Sequence, residues 1–363
     1  MPDKLLAPLP DLFLRPDGKR VASMEEWRAH RQYLLDLIVN MQYGGMPPKP
    51  KTFSVEPLMN GGGSVRIASC RIHADGFSFC LQLFIPAEIK GPCPVVLTGD
   101  GCYRCMNDLV IDEINRRGMI AAKFNRTELA PDLYSTERTG GLYDVYPGMT
   151  FGALSAWAWG YHRAMDALCT LDFVDSAKVA ITGHSRGGKT VLLAGATDER
   201  FAYVNPNNSG AGGSGCYRYH TEIDDPALPI GERVSEHLSD LMRNISYWFG
   251  PEMFNYVDCE EKLPFDQHML KALIAPRVLL QTEALGDTWA NPKGTWQTHL
   301  AAREAWKLVG DPRDIAIRYR PGGHQHDYGA FIALLDLMQT GVAPEGNYFP
   351  EMERIFDWEG PVK

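Results

Sequence analysis

A serine flanked by glycines, in Gly183-His-Ser185-Arg-Gly187, lies between an apolar run and a helical segment. The pattern G-x-S-x-G is typical of a nucleophile elbow, a strand-to-helix turn so tight that small residues must flank the serine. Such a turn would raise the Ser185 hydroxyl above the sheet, at the positive end of the following helix. The sequence therefore predicts a serine nucleophile, which needs a neighbouring base to remove its proton.

The same residues satisfy a second pattern, G-x-x-x-x-G-K-[ST], which runs from Gly183 to Thr190. This pattern is typical of a phosphate-binding loop, and it also lies between a strand and a helix. An NTPase of this kind needs a later strand that ends in Asp to hold Mg²⁺. The apolar run at 201–207 ends in Asn instead, and several strand candidates precede the motif. The sequence therefore favours the hydrolase and keeps the NTPase as an alternative.

A serine hydrolase also needs an acid after a later strand and a histidine near the C-terminus. Asp287 follows the apolar run RVLLQTEA, and His324 follows IAIRYR. We predict that His324 is the base, with His326 as the rival candidate, and that Asp287 orients the imidazole and stabilises its charged form. The oxyanion hole would use the backbone N–H of Arg186, helped by its guanidinium or by the loop LTGDGC at 97–102.

Composition limits the partners of this 363-residue chain. Its 45 acidic and 36 basic side chains give a net charge of −9, which argues against a nucleic acid or an anionic membrane. No apolar stretch approaches the roughly 20 residues of a membrane helix. The sequence shows no secretory leader, so we expect a cytoplasmic protein, or a secreted one if a leader has been removed. The composition predicts no oligomeric state.

No metal or other cofactor is predicted. Cys102 and Cys105 form a C-x-x-C pair, but no second pair or ligand-spaced His pair follows it. Two packed thiols are therefore favoured over a redox or metal pair. His324 and His326 could bind a metal, yet no third ligand stands at a recognisable spacing.

Short apolar runs that alternate with helical segments predict an α/β fold. The strand candidates are 93–99, 119–125, 178–183, 201–207, 277–284 and 314–320, and the helix candidates are 104–117, 150–173, 186–197, 230–248, 292–309 and 328–339. They indicate an α/β-hydrolase fold, with a mostly parallel, doubly wound sheet and helices on both faces. Two extended runs, 65–74 and 77–86, predict an antiparallel N-terminal strand pair.

We expect a single α/β-hydrolase domain over residues 1–363. It carries an N-terminal helical extension at about 1–50, where a capping box at Ser23–Glu26 predicts a helix to about Met41. A long segment, about 211–265, is interpreted as an insertion over one end of the sheet.

Several segments resemble the glucuronoyl esterases, a family of carbohydrate esterases, and in particular its bacterial members. Trp27, Arg31 and YGGMPPKP at 43–50 are similar to the N-terminal segment of the family. AWAWGYHRAMDAL is similar to its helix before the elbow, and GHSRGGK at 183–189 matches its Ser-Arg-x-x-Lys signature. DERFAYVNPNNSGAGG, FDQHML, IAPRVLL, DTWANP and GGH follow in the same order. The resemblance covers most of the chain.

The resemblance implies a cofactor-independent hydrolase of 4-O-methyl-glucuronic acid esters, such as those between xylan side chains and lignin alcohols. It implies that Arg186 stabilises the oxyanion, that Lys189 and Glu232 hydrogen-bond sugar hydroxyls, and that Trp289 lines the sugar site. The partner would be a small-molecule or oligosaccharide uronate ester.

One position departs from the family pattern. Many members carry their catalytic acid in the loop before Ser-Gly-x-Gly-Gly, where this chain has Asn207-Asn208-Ser209. An amide cannot stabilise an imidazolium by charge, so the acid would have to be Asp287, a location that the family also uses.

The leading hypothesis is therefore a serine esterase that acts on glucuronic acid esters through an acyl-enzyme. An acetylxylan esterase or a general carboxylesterase of the same fold is the nearest alternative. The NTPase and an inactive carbohydrate-binding relic, which Asn208 suggests, are the alternatives from other classes.

Overall fold

A computed structural model describes residues 3–63, 65–134, 137–346 and 348–361. The strands are β1 (Lys4–Leu5), β2 (Phe53–Gly61), β3 (Val65–Ala74), β4 (Phe77–Pro86), β5 (Cys93–Thr98), β6 (Ile120–Phe124), β7 (Val174–His184), β8 (Tyr203–Asn207), β9 (Tyr219–His220), β10 (Val278–Ala284) and β11 (Ile315–Arg320). The helices are α1 (Met24–Tyr43), α2 (Asp108–Arg116), α3 (Leu142–Val145), α4 (Ala153–Leu168), α5 (Arg186–Thr197), α6 (Ile230–Arg233), α7 (Leu238–Asn244), α8 (Gln267–Ala272), α9 (Pro292–Val309) and α10 (Tyr328–Thr340).

Nine strands form one sheet in the order β11-β10-β8-β7-β5-β6-β4-β3-β2, while β1 and β9 form a small separate pair. The six strands from β11 to β6 run parallel to their neighbours. Strand β4 joins β6 in the antiparallel sense, and β3 and β2 continue that pattern. The six predicted core strands and the antiparallel pair are confirmed. This is the predicted α/β-hydrolase fold.

Both faces of the sheet are covered. Along β5, Val95 and Leu97 pack into a large core with α4, α5, α8 and α9, whereas Val96 points to the opposite core. That second core is formed with α2 and α10. Because successive strand residues face opposite sides, a strand buried on both faces is mainly apolar, although β10 also buries Gln281, Thr282 and Glu283. This preference explains the apolar runs in the sequence.

The edge strand β2 was not predicted. Its sequence, FSVEPLMNG, contains a proline, which cannot donate to a ladder and is confined to edge strands or bulges. The structure places Pro57 on the sheet edge, where the register with β3 shifts between Pro57 and Met59. The strand is largely exposed, so it lacks the apolar alternation that marks a half-buried strand.

Helix α1 follows the predicted N-terminal signal. The side chain of Ser23 accepts a hydrogen bond from the backbone N–H of Glu26 at 3.2 Å. The Glu26 carboxylate reaches back to the N–H of Ala22 at 2.7 Å rather than to that of Ser23, so the box is displaced by one residue. The helix ends before Gly44, whose φ of 71° closes it in the left-handed conformation.

The predicted helix at 230–248 is wrong as one element, because it is divided into the short helices α6 and α7. Between them the chain is extended: Ser235 N–H donates to Thr221 at 3.0 Å, and Glu236 N–H donates to Trp289 at 2.9 Å. These tertiary hydrogen bonds replace the helical ones. The interruption matters for the site, because it turns Glu236 toward the edge of the sheet where Ser185 lies.

Candidate active site

Ser185 lies between β7 and α5 in a backbone conformation that side-chain-bearing residues rarely adopt, with φ 56° and ψ −118°. The flanking glycines are required by space. A Cβ at Gly183 would lie 2.5 Å from the backbone oxygen of Gly187, and a Cβ at Gly187 would collide with the carboxylate of Asp100. The strand, turn and helix of the predicted elbow are therefore present, and the catalytic role of Ser185 stays a prediction.

The loop at 97–102 supports this elbow through Asp100. Its buried carboxylate accepts a hydrogen bond from the N–H of His184, the residue before Ser185, at 2.8 Å. The same carboxylate lies 3.5 Å from the guanidinium of Arg126, which is fully buried. Asp100 therefore fixes the backbone next to Ser185, whereas a contribution of this loop to the oxyanion hole stays a prediction.

Asp287 and His324, the predicted acid and base, are in contact. His324 Nδ1 lies 2.6 Å from Asp287 Oδ2, and His324 lines the same cavity as Ser185. Burial alone would raise the pKa of Asp287, but the hydrogen bonds and charge of its neighbours, His324 first, hold that pKa below its ordinary value. Asp287 is therefore ionised next to the imidazole, as an orienting carboxylate must be.

Asn208 lies beside this pair. Its side-chain N–H donates to Asp287 Oδ2 at 2.5 Å, the oxygen that also contacts His324. The loop that carries Asn208 and the loop that carries Asp287 therefore meet at this carboxylate. In this chain the amide of Asn208 holds the carboxylate of Asp287.

A cavity of about 310 Å³ opens in front of Ser185. It is lined by Ser185, Arg186, Lys189, Asn208, Ser209, Gly210, Glu236, Asp240, Asn244, Ile245, Trp248, Trp289, Ala290 and His324. Of the predicted site residues, only Glu232 and the buried Asp287 behind His324 are not part of this lining. The cavity holds Ser185 and His324 together with charged side chains and two indole rings, a lining that suits a polar ligand.

The prediction for Glu232 needs a correction. Glu232 is exposed in the short helix α6 and does not line the cavity. Two acidic residues line it, Glu236 and Asp240, and the carboxylate of Glu236 lies 2.8 Å from the ammonium of Lys189. Lys189 also donates to the backbone oxygen of Ser209 at 2.6 Å. The sequence could not separate the two glutamates, because the break between α6 and α7 decides which one faces inward.

Arg186 combines two possible oxyanion donors. It is the first residue of α5, where backbone N–H groups have no acceptor within the helix. Its guanidinium lies over the ring of Trp248, 4.6 Å from the ring centroid, and donates to Asp132 at 2.9 Å. Neither Asp132 nor Trp248 was predicted from the sequence, because neither belongs to a motif with recognisable spacing.

The phosphate-binding interpretation is wrong. Helix α5 begins at Arg186, directly after the strand and the single turn residue Ser185, so no loop of backbone N–H groups is left to surround a phosphate. Lys189 lies inside the helix and is engaged by Glu236, and Thr190 donates to the backbone oxygen of Arg186.

The rival base, His326, is half-buried, and both of its ring nitrogens are shielded from solvent. Its ring stacks on that of Phe331, with 4.1 Å between the ring centroids, and burial holds the pKa of His326 well below the ordinary value.

Cys102 and Cys105 are both free thiols, and burial raises the pKa of Cys105 to about 11, which disfavours the reactive thiolate. Within the described ranges, no three His, Cys, Asp or Glu side chains cluster as metal ligands would. The described helices also include none with the length and apolarity to span a membrane.

Fold and site together define the class: this is a protein of the α/β-hydrolase fold in which Ser185, at a strand-to-helix turn, and His324 line one cavity. The sequence model of the family described as "Glucuronyl esterase, fungi" matches residues 70–310. The chain belongs to the glucuronoyl esterase family.

Relatives and solved structures agree with this assignment. The chain is 30% identical over 323 residues to a 4-O-methyl-glucuronoyl methylesterase of Podospora anserina, which covers 88% of this chain and 63% of that protein. It is 31% identical over 330 residues to a 4-O-methyl-glucuronoyl methylesterase of Wolfiporia cocos, covering 88% of this chain and 76% of that one. A solved carbohydrate esterase family 15 glucuronoyl esterase from Caldicellulosiruptor kristjansonii superposes with a TM-score of 0.83 at 29% identity, over 98% of this chain and 97% of the other. The chain thus spans less than two thirds of the Podospora relative.

Proposed function

We propose that this protein hydrolyses carboxylic esters of glucuronic acid, including its 4-O-methyl form, through an acyl-enzyme on Ser185. One observation carries the proposal: a single cavity holds Ser185 and His324 beside the Lys189–Glu236 ion pair and the ring of Trp289. A nucleophile and base suit any ester, whereas paired charges next to an indole suit a sugar acid with several hydroxyls. Two relatives that carry the name 4-O-methyl-glucuronoyl methylesterase support this substrate class.

The chemistry follows from the positions of these groups. Ser185 Oγ attacks the ester carbonyl carbon while its proton passes to His324, whose other ring nitrogen is held by Asp287. The carbonyl oxygen becomes an oxyanion, which the N–H and guanidinium of Arg186 stabilise. The intermediate then expels the alcohol, which takes the proton from His324. Water hydrolyses the acyl-enzyme by the same steps, with His324 as base, and releases the uronic acid.

Sugar recognition is assigned to Lys189, Glu236 and Trp289, which line the same cavity. Lys189 is 3% exposed, so its charge is largely removed from water and is balanced by Glu236. Their free donor and acceptor positions would hydrogen-bond the hydroxyls of the uronate ring, and Trp289 would pack against its apolar face. Charged hydrogen bonds of this kind are about twice as strong as neutral ones.

The decisive test compares esters that differ only in their acid. With the alcohol held constant, we expect kcat/KM for benzyl glucuronate to exceed that for benzyl acetate by about 10³-fold or more, because polar groups of the cavity stay unpaired when the sugar is missing. Initial rates of benzyl alcohol release measure both substrates. Equal rates, or faster release of acetate from acetylated xylan, would assign the protein to the acetylxylan or general esterases. No turnover of any ester, together with no fluorophosphonate adduct on Ser185, would support the inactive relic.

The correction from Glu232 to Glu236 gives a second test. We expect Glu236→Gln to raise KM for benzyl glucuronate at least about tenfold, because a charged hydrogen bond to the sugar is weakened. The matched control is Glu232→Gln, which removes the same charge from an exposed position outside the cavity. It should keep wild-type kinetics. The glutamine at 236 retains the shape of the side chain, so hydrolysis of p-nitrophenyl acetate should change little. An unchanged KM in Glu236→Gln would remove this residue from the sugar site.

A further inference from the structure

Asp132 accepts hydrogen bonds from four side chains and is not one of the proposed catalytic groups. Its side chain is 8% exposed and accepts hydrogen bonds at both carboxylate oxygens. On Oδ2 it accepts from Arg186 Nη1 at 2.9 Å and from Arg126 Nη2 at 3.3 Å. On Oδ1 it accepts from the hydroxyl of Tyr247 at 2.8 Å and from the indole N–H of Trp248 at 3.1 Å.

These contacts form a closed arrangement around Arg186. Trp248 donates to Asp132 and also lies under the guanidinium that Asp132 holds, 4.6 Å from its ring centroid. Burial and the neighbouring carboxylate raise the pKa of the Tyr247 hydroxyl, so it stays a donor. The guanidinium of Arg186 is thus fixed by a hydrogen bond at one edge and by an aromatic ring against its face. An arginine side chain otherwise loses substantial rotamer freedom when it binds an anion.

Arg126 connects this arrangement to the elbow. Its guanidinium is fully buried, contacts both Asp132 and Asp100, and lies 4.5 Å from the ring centroid of Trp157. Asp100 in turn accepts from the N–H of His184, next to Ser185. The nucleophile and the arginine beside it are therefore positioned by two carboxylates that share one buried cation.

We infer that Asp132 is a positioning residue that holds the Arg186 guanidinium in place for the oxyanion, so that it acts on the rate of the chemical step through Arg186. The inference rests on the proposed function, because it assigns Arg186 to the oxyanion of ester hydrolysis. A preorganised donor stabilises developing charge without having to reorient during the reaction. This role could not be predicted from the sequence, since Asp132 lies between the short 3₁₀ helix Arg126–Glu128 and helix α3 with no motif around it.

Whether Asp132→Asn reacts faster or more slowly than wild type distinguishes a positioning role of Asp132 from an effect of its negative charge. Asp132 also neutralises part of the Arg186 charge, so removing the carboxylate strengthens the positive potential at the oxyanion. If potential were decisive, Asp132→Asn would react faster than wild type. If position is decisive, Asp132→Asn reacts more slowly, because an amide can present an N–H to the guanidinium and no longer fixes it.

The experiment measures steady-state kinetics on benzyl glucuronate and, separately, the rate at which a fluorophosphonate labels Ser185. In labelling, Ser185 Oγ displaces fluoride from phosphorus while its proton passes to His324, and the P–O group occupies the oxyanion position. We expect Asp132→Asn to lower kcat and the labelling rate by about 10–100-fold, with KM changed less than about threefold. In the Arg186→Ala variant the same substitution should lower kcat and the labelling rate by less than about threefold, because the guanidinium through which Asp132 acts is absent.

The control is Asp144→Asn, which removes an exposed carboxylate from helix α3, in the next part of the chain, and should keep wild-type rates. Unchanged or faster labelling by Asp132→Asn, or a loss that is the same with and without Arg186, would overturn the inference. Should thermal unfolding show that Asp132→Asn does not fold, Tyr247→Phe decides, since it removes one donor to Asp132. A slowing that depends on Arg186 supports the role, and no slowing rejects it. If the wild type is labelled but does not turn over uronate esters, only the proposed substrate is contradicted. The labelling rates of wild type and Asp132→Asn still measure the effect of Asp132 in that case.

Discussion

The Ser185→Ala variant should lose hydrolysis of benzyl glucuronate by about 10⁵–10⁶-fold, to a rate near that of buffer. The oxygen removed is the one that would form the acyl-enzyme, and water cannot take its place because the base is arranged around it. Alanine keeps the Cβ and therefore the steric demands of the elbow. The Ser185 side chain makes no capping hydrogen bond to helix α5, so no such bond is lost with the hydroxyl.

Three measurements check this expectation. Product release gives the residual rate, intact-protein mass after fluorophosphonate treatment shows whether an adduct still forms, and thermal unfolding shows that the fold is retained. Ser209 lines the same cavity and is the alternative nucleophile. An adduct on Ser209, or residual activity above about 1% of wild type in Ser185→Ala, would contradict the assignment.

The core strands of the fold could be predicted from the sequence, because buried strands have a recognisable pattern of apolar residues. Strands covered on both faces are mainly apolar, so β5 and parts of β7 and β10 stood out as apolar runs. The edge strand β2 left no such trace, since its pattern is set by solvent and by a proline.

The positions of Ser185, Asp287 and His324 were accessible for a related reason. Each follows a strand of the parallel part of the sheet, and the carboxyl ends of parallel strands meet at one edge. Glu236 and Asp132 were not accessible, because both lie on irregular segments whose direction is set by tertiary hydrogen bonds. The N–H of Glu236 is fixed by the backbone oxygen of Trp289, more than fifty residues away in the chain.

The second large effect concerns the acid. We expect Asp287→Ala to lower kcat by about 10³–10⁴-fold, because His324 loses the group that fixes its tautomer and stabilises its charged form. Asn208→Ala should have a small effect, since the carboxylate keeps its contact with His324 at 2.6 Å. Steady-state kinetics on benzyl glucuronate compare the two variants. If Asp287→Ala retained more than about a tenth of wild-type kcat, another group would have to orient the imidazole.

Because the side chains of residues 208 and 287 are in contact, the carboxylate can be transferred from one position to the other by mutation. Asn208 already adopts φ 43°, a left-handed conformation that aspartate tolerates nearly as well as asparagine. In the exchange variant Asn208→Asp/Asp287→Asn, the carboxylate would stand at position 208 and the amide at position 287. We expect the exchange to recover at least about tenfold in kcat over Asp287→Asn alone, because charge near His324 is restored even if its geometry is not. No recovery in a folded exchange variant would mean that Asp287 supplies an orientation that the 208 position in this chain cannot reproduce, and that the two acid locations are not equivalent here.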